Sequence, residues 1–367
     1  MKKILDNKLL FFFPLLIIMI ISFFDMYNAK YLSSLYNNNL VKQIIWYFLG
    51  FIIFILFKRI NNKTIFKYAN VLYIISLLLL LYVLLFGKVI NGARAWINIK
   101  GFSFQPSELA KLSLAIMLSK MAVSFNNTGV KSETIFILKV ILVTLIPSIL
   151  VFLEPDSGAI IFFLIEAFMI ILFSKVHKFW FVILFSLLGI GIGAFITLYL
   201  FNKDILISLI GTSFFYRVER LITFKTMSSY QLENALIAMG SSSLFGTGLG
   251  NVSIYIPEAP TDFVFAFTIS NFGYFTGFLI LICYLFMDIF LINKICHMKK
   301  NTIKYILISF TSIFIFGQII NIGMNLGLVP IIGIPLPFLS YGGSTLIIYF
   351  LFLSIVFANE KPYRSMV

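Results

Sequence analysis

Ten long runs of apolar residues, separated by short polar segments, constrain the fold of this chain more than any other feature. Each run is close to the roughly 17 to 25 residues that an α-helix needs to cross the hydrocarbon core of a bilayer. A helix satisfies its own backbone hydrogen bonds, so helices are what such runs form in lipid. The runs lie at 9–24, 41–57, 69–86, 106–123, 134–152, 158–174, 179–200, 263–291, 305–326 and 338–358.

Composition supports the same fold class. Hydrophobic residues make up 60% of the 367 residues and charged residues 11%, whereas charged residues are about 25% of a soluble domain. We therefore predict an all-α integral membrane protein with about ten transmembrane helices, built as a single polytopic domain over residues 1–367. The longest segment without a span, about 201–262, is predicted to be a large extracytoplasmic loop between helices 7 and 8, and long loops are commonly functional.

The Lys and Arg residues between the runs predict the orientation, because cytoplasmic loops carry an excess of them. With the N-terminus inside, seventeen of these residues face the cytoplasm and nine face outward. Both termini are then cytoplasmic in the bacterial plasma membrane, and the loop that contains Asp262 is extracytoplasmic. The net charge of +14 lies in short loops beside the membrane, where it suits anionic lipid, and no basic domain is present to bind nucleic acid.

Four polar segments, here called the outer patches, lie on the predicted outer side. Glu108 and Lys111 are three residues apart in the first, so on a helix they share a face and can pair. Asp262 lies in the third, where a polar loop meets an apolar run. Prolines and glycines break the backbone in the fourth, which membrane proteins tolerate only where the segment packs on protein or lines a wet cavity. The outer patches are 92–111, 154–158, the loop 201–262 and 333–344.

The outer patches resemble the SEDS family (shape, elongation, division and sporulation) of bacterial cell-wall glycosyltransferases, which includes RodA and FtsW. Thr261 before Asp262, and Gly323-Met324, are more similar to RodA than to FtsW. Three positions depart from the family pattern: Ala95 replaces an arginine, Glu154 replaces a glutamine, and Ser270-Asn271 replace an acidic pair. The matching segments are Arg94-x-Trp96-Ile97, 105–111, Pro155-Asp156-x-Gly158, 246–250, 257–263, 321–324 and 335–344, in family order over nearly the whole chain.

The resemblance implies a peptidoglycan glycosyltransferase that polymerises lipid II into glycan strands at the outer face of the membrane, for elongation and shape, division or sporulation. It implies Asp262 as the catalytic base for the acceptor sugar hydroxyl. It also implies a class B penicillin-binding protein, a transpeptidase, as partner, together with other elongation or division proteins. The substrate-binding candidates are Arg94, Trp96, Glu108, Lys111, Asp156, Arg217, Arg220, Glu258 and Ser340.

The departing pyrophosphate requires positive charge near the site. Arg94, Lys111, Arg217 and Arg220 are candidates for it. A divalent cation, Mg or Mn, held by acids such as Asp156 is an alternative. The sequence assigns no metal site.

Several of these candidates also have a structural interpretation. Asp262 can cap the helix that follows it, Asp156 can be a turn acid, and Glu108 with Lys111 can be a structural ion pair. Arg94 and Trp96 can be interface anchors. Two acids within apolar runs, Glu166 and Asp288, stay unassigned.

Two other functions remain open. A lipid II flippase would use charged residues and broken helices through the membrane depth. A non-catalytic scaffold of the cell-wall machinery would not need Asp262.

Overall fold

The computed structural model describes residues 8–60, 62–90, 93–99, 102–212, 215, 219, 230–252, 254–298 and 302–358. Within these ranges the chain is largely helical, with one small sheet. The helices are α1 (Leu9–Ala29), α2 (Asn39–Phe57), α3 (Asn62–Lys67), α4 (Ala69–Phe86), α5 (Pro106–Ser124), α6 (Val130–Leu153), α7 (Ser157–Phe173), α8 (Phe179–Phe201), α9 (Lys203–Ile210), α10 (Tyr230–Gly240), α11 (Val264–His297), α12 (Thr302–Asn325) and α13 (Gly343–Val356).

Each of the ten predicted apolar runs lies wholly or mostly on one of these helices. Seven helices are long and apolar enough to cross a membrane, namely α1, α2 with the short turn before it, α4, α6, α8, α11 and α12. Helices α7 and α13 are apolar but have only 17 and 14 residues, and α5 carries several polar side chains. The membrane-embedded helical class is confirmed, and the count of ten crossings stays a prediction.

A small antiparallel sheet that was not predicted from the sequence lies between α4 and α5. Its strands are β1 (Lys88–Ile90), β2 (Ala93–Ile99) and β3 (Phe102–Phe104), in the order β1-β2-β3. Trp96 pairs with Lys88, and Ile97 pairs with Phe104. Strand β2 packs on α4 and α5, and β3 packs on α13. The sheet therefore places the first outer patch against the helix bundle.

The centre of the bundle is aromatic. Phe338, in the middle of the fourth outer patch, packs against Phe314 of α12 and against Tyr349 and Phe350 of α13. All four rings are buried. Aromatic contacts thus fix the broken segment before α13 against two core helices.

Helix α11 is broken at Gly273, whose φ of 79° lies in the left-handed region. A side chain at this position would overlap the carbonyl of Leu244, so glycine is required. The loop that contains Leu244 satisfies the backbone groups freed by the break: Gly248 N donates to Asn271 O (2.8 Å), and Phe275 N donates to Leu244 O (3.2 Å). We call residues 264–272 the front half-helix and residues 274–297 the rear half-helix.

Candidate active site

Asp262 lies in the turn that leads into the front half-helix. Its amide and that of Phe263 both donate to Glu258 O, each at 3.1 Å, and the Thr261 hydroxyl donates to Glu258 Oε2 (3.1 Å). The helix begins at Val264, and no side chain caps it. Capping therefore does not account for the Asp262 carboxylate.

Two amide side chains on α12 hold the backbone of Asp262. Asn321 Nδ2 donates to Asp262 O (2.9 Å) and to Ile334 O (2.7 Å). Asn325 Nδ2 donates to the same Asp262 O (3.0 Å), while Asn325 Oδ1 accepts from Ala266 N (2.9 Å). Both amides are fully buried. A buried amide that lost these partners would be costly, so α12 fixes the main chain on both sides of the acid.

The fourth outer patch holds the same turn from another side. Ser340 Oγ donates to Thr261 O (2.6 Å) and accepts from Leu336 N (2.8 Å). Tyr341 N donates to Pro260 O (2.7 Å). The hydroxyl of Ser340, a candidate for substrate binding, thus donates one hydrogen bond and accepts another within the protein itself.

The carboxylate of Asp262 differs from its backbone because no described residue hydrogen-bonds to it, and the residue is only partly buried. Gly333 comes close, since a Cβ added there would lie 3.5 Å from Asp262 Oδ2. Burial, and to a smaller extent the charge of Glu258, raise the pKa of Asp262 to about 7. The group can therefore accept and release a proton near neutral pH.

Asp156 is hydrogen-bonded to three groups of the protein. Its Oδ1 accepts from Ala159 N (3.2 Å), which caps α7. Its Oδ2 accepts from Gln105 Nε2 (2.8 Å) and from the Ser107 hydroxyl (2.9 Å). Gly158, two residues after Asp156, lies close to the segment 332–334, because a Cβ added to it would be 3.1 Å from Ile334. Gly333 of the same segment lies close to Asp262. Asp156 and Asp262 thus flank this short segment.

Glu154 is an unusual group beside this site. It is fully buried, and neither carboxylate oxygen has a hydrogen-bond partner among the described residues. Burial and, to a lesser extent, the charge of Asp156 raise the pKa of Glu154 to about 8. The position is one where the chain departs from the family pattern, and the group is predominantly protonated at neutral pH.

Glu108 and Lys111 form the ion pair that their spacing predicts. Lys111 Nζ lies 2.7 Å from Glu108 Oε1, and both side chains are buried. The ammonium also lies over the Phe162 ring, 4.7 Å from its centroid. Glu166 of α7 is within electrostatic reach of Lys111, although its own oxygens form no hydrogen bond to a described residue.

Of the three remaining cationic candidates, Arg94 is among the described residues, and Arg217 and Arg220 are not. Arg94 is exposed on β2, and its guanidinium bonds to no other described group, whereas Trp96 on the same strand is half-buried. Arg94 is therefore the described candidate that presents an uncompensated positive charge at the surface.

A metal site is not evident in the described part of the chain. No group of three or more His, Cys, Asp or Glu side chains converges there. Asp156, the acid named above as an example of a cation ligand, already uses both oxygens for hydrogen bonds. These residues do not fit a closed protein-built metal site, which leaves Mg or Mn as a prediction.

Sequence reasoning missed several residues that build this site. Asn321 and Asn325 are one turn apart in an apolar run, and that spacing was an available signal. Asp25 was placed outside the first span, which was predicted to end at 24, but α1 continues to Ala29. Asp288, thought to have no obvious partner, accepts from Gln318 Nε2 (3.1 Å).

Comparison with known families gives an extended match. The family model for FtsW, RodA and SpoVE, described as a cell cycle protein, matches residues 6–363. The FtsW protein of Wigglesworthia glossinidia brevipalpis, named a probable peptidoglycan glycosyltransferase, is 36% identical over 338 residues, which is 88% of this chain and 84% of that protein. The protein of the same name from Acinetobacter baylyi is 34% identical over 305 residues, 79% of this chain and 72% of its own length.

Solved structures share the fold. The rod shape determining protein RodA of Thermus thermophilus has a TM-score of 0.68 and 26% identity, with 96% of each chain covered. A chain of a peptidoglycan synthase complex, described as coordinating polymerization and crosslinking, has a TM-score of 0.75 and 24% identity, with 95% of this chain and 96% of that chain covered. Relatives of both names appear, so the RodA-like assignment stays a prediction.

Proposed function

Because the chain belongs to the FtsW/RodA/SpoVE family of cell cycle proteins, we propose that it is a peptidoglycan glycosyltransferase that polymerises lipid II at the outer face of the cytoplasmic membrane. The observation that carries this proposal is the contrast within Asp262. Its backbone carbonyl is held by two buried amides, whereas its carboxylate is partly exposed and has a pKa of about 7. A fixed backbone with an available carboxylate near neutral pKa suits a general base.

In the proposed reaction Asp262 takes the proton from the 4-hydroxyl of the acceptor sugar. The acceptor oxygen forms a bond to the anomeric carbon of the donor while the bond from that carbon to the pyrophosphate oxygen breaks. The electron pair leaves with the undecaprenyl pyrophosphate, and the proton stays on Asp262 until solvent removes it. The leaving group needs no strong acid, so a single carboxylate suffices, unlike the pair used by glycoside hydrolases.

The pyrophosphate needs a cationic environment as its charge develops. Lys111 is buried and paired with Glu108, so it adds little net positive charge. Exposed Arg94 is the described side chain that best suits the role, with Trp96 beside it on β2. We assign Arg217, Arg220 and a divalent cation as further contributors to be tested, and Glu258 as the group that tunes Asp262.

The orientation of the protein in the membrane and its partner protein are also part of the proposal. The excess of Lys and Arg on the opposite side supports cytoplasmic termini and an extracytoplasmic site. In this proposal a class B penicillin-binding protein, a transpeptidase, crosslinks the strands that the chain makes. The fold shared with a chain of a synthase complex supports such a partner.

The decisive experiment measures lipid II polymerisation by the purified full-length protein in liposomes, with and without its cognate penicillin-binding protein. We expect Asp262→Asn to lower the rate by about 10² to 10⁴, as loss of a general base does. Asp204→Asn, the same chemical change at an exposed acid on α9, is the matched control and should leave the rate unchanged. Parallel reactions with EDTA, Mg and Mn test the cation.

The pH profile adds a second criterion. The rate should rise with pH through an apparent pKa near 7, and Glu258→Gln should shift this rise to lower pH, because the charge of Glu258 raises the pKa of Asp262. Full activity of Asp262→Asn would refute the proposed base. Movement of lipid II across the liposome membrane without any glycan strands would replace the transferase with the flippase.

A further inference from the structure

Contacts with neighbouring helices fix the position of the front half-helix. The break at Gly273 separates it from the rear half-helix, so the long membrane-crossing part of α11 does not fix its axis. At its N-terminal end Asn325 binds Ala266 N and Asp262 O. A second set of contacts comes from α1, on the side chains of Asp25 and Asn28.

Asn28 anchors the loop beside the break. Its Nδ2 donates to Gly248 O (3.1 Å), and its Oδ1 accepts from Gly250 N (3.0 Å). Gly248 N in turn donates to Asn271 O, at the C-terminal end of the front half-helix. The amide of Asn28 is fully buried and has partners on both atoms, so this contact needs no further group.

Asp25, one turn before Asn28, contacts the middle of the front half-helix. Its Oδ2 lies 2.6 Å from Thr268 Oγ1, and Thr268 Oγ1 lies 2.8 Å from Val264 O. Both side chains are fully buried, and Asp25 Oδ1 has no hydrogen-bond partner among the described residues. The three oxygens, Asp25 Oδ2, Thr268 Oγ1 and Val264 O, form a chain of contacts from α1 to the first residue of α11, here called the line.

The number of protons in this line constrains the state of Asp25. A threonine hydroxyl has one proton, yet Thr268 lies within hydrogen-bond distance of two acceptors. If the Asp25 carboxyl is protonated, its O–H donates to Thr268 Oγ1 and the Thr268 O–H donates to Val264 O, so both short distances are hydrogen bonds. If it is ionised, one of the two contacts is between oxygens that share no proton.

The surroundings of Asp25 favour the protonated form as well. Neither ion pair among the described residues involves it, and it lies within a membrane-crossing helix. An isolated ionised carboxylate in such a place is far more costly than a neutral carboxyl with one unpaired oxygen.

We propose that Asp25, as a protonated carboxyl, is a positioning residue for Asp262: through Thr268 it holds the front half-helix at the angle that presents the Asp262 carboxylate to the acceptor hydroxyl. The positioning role rests on the function proposed above. Asn325 of α12 holds one end of the half-helix, and Asp25 of α1 holds its middle. Together the two contacts define its direction, which the broken α11 does not.

The test uses three variants of the full-length protein in the liposome polymerisation assay. Asp25→Asn keeps the size of the side chain and supplies an N–H donor to Thr268, so it should retain activity within about threefold. Asp25→Leu and Thr268→Val remove the line, and each should lower kcat by roughly ten- to a hundredfold through misplacement of the base, with KM for lipid II unchanged. The double variant Asp25→Leu/Thr268→Val should be no worse than either single variant, since the two act in one line.

Asp288→Leu is the matched control. It removes an intramembrane acid that contacts α12 from the rear half-helix, so it should change thermal stability but not kcat. A loss of kcat in Asp25→Asn as large as in Asp25→Leu would show that negative charge is required, and would overturn the proposal. Normal kcat in Asp25→Leu would overturn it equally.

A second measurement separates this proposal from the transferase itself. In Asp25→Leu, hydrogen–deuterium exchange should become faster in the amides of 264–272 and stay unchanged in 274–297. An infrared band of a protonated carboxyl should disappear in Asp25→Asn. If the wild type makes no glycan yet both signals behave in this way, the proposed function fails and the contact stands; if exchange and band are unchanged, the contact fails whatever the activity.

Discussion

Helices α12 and α8 are both long enough to cross a membrane, yet α12 is mostly buried inside the protein and α8 is not. In α12, 72% of the most apolar 18-residue stretch is buried inside the protein, whereas in α8 the share is 0%. Helix α8 contacts the bundle through aromatic pairs at one end, Phe168 with Phe181 and with Phe185. Helix α12 holds the backbone of Asp262 through Asn321 and Asn325.

Buried polar side chains distinguish the interior helix α12 from the outer helix α8. Helix α12 carries hydroxyl and amide side chains that are buried, among them Ser309, Ser312 and Gln318, and α8 is almost purely apolar. Lipid is as apolar as leucine, so burying an apolar surface gains little in a membrane, and helices associate through packing and polar contacts. We therefore expect substitutions to have large effects on the α12 side and small effects on α8.

The largest effect is expected for Asn325→Leu. The change leaves Ala266 N without its acceptor and removes a donor from Asp262 O, so polymerisation should fall about a hundredfold and the free energy of unfolding by about 2 to 4 kcal/mol. Initial rates and thermal midpoints in one detergent would measure both. The control is Thr197→Val on α8, which removes a hydroxyl that, among the described residues, bonds only to Gly193 O of its own helix. Equal losses in the two variants would contradict the comparison.

Glu154→Gln tests the buried acid beside the site. The pKa of Glu154 is raised from its ordinary 4.5 to about 8, so between these values the folded protein binds a proton that the unfolded chain has lost, and stability falls as pH rises. The variant removes this dependence. It should be more stable by on the order of 4 kcal/mol at pH 8.5 or above and equal to wild type near pH 4.5. Thermal midpoints at both pH values measure the effect, and parallel pH dependences of the two proteins would refute it.

Gly50→Ala examines a tightly packed helix of the bundle. A Cβ on Gly50 of α2 would overlap the buried ring of Phe350 on α13, and overpacking typically costs about 1 to 3 kcal/mol. We expect a lower thermal midpoint, which the second change Phe350→Leu should partly restore. A midpoint unchanged from wild type would show that α2 and α13 are less closely packed than described.

Gly191→Ala is the same substitution on α8 and should have the smallest effect. Nothing lies within 4 Å of a Cβ at Gly191, and alanine favours a helix over glycine by up to about 1 kcal/mol. The midpoint should stay the same or rise slightly. A clear loss of stability comparable to that of Gly50→Ala would mean that α8 packs against protein after all.

The sequence predicted much of this architecture because span length and apolarity are local properties. Each predicted run lies wholly or mostly on a helix. Residues 230–239, followed by Gly240, also have the pattern of a short helix with a glycine stop, and the structure has a helix at Tyr230–Gly240. The pairing of Glu108 with Lys111 also followed from local spacing. The alternation of charged and apolar residues over 216–224 predicts an amphipathic helix, but Glu219 is the one residue of this segment within the described ranges.

Features that depend on contacts between distant segments were not predicted. The strands β1 to β3 are too short to have a clear periodicity. The break at Gly273 requires the carbonyl of Leu244 to approach it, which no local pattern reveals. Ser340 was grouped with substrate-binding residues because of its motif, yet its hydroxyl bonds Thr261 and Leu336 across the fold.

The broken helix α11 also bears on how the chain enters the membrane during synthesis. As a straight helix its 34 residues would extend about 51 Å, well beyond the roughly 30 Å of the hydrocarbon core. The rear half-helix alone reaches about 36 Å, so it suffices as the segment that the insertion machinery releases into lipid. The segment that carries Asp262 is then free to fold back later onto α1 and α12. Positioning of Asp262 would thus be a late step in biogenesis, completed only after both partner helices are in place.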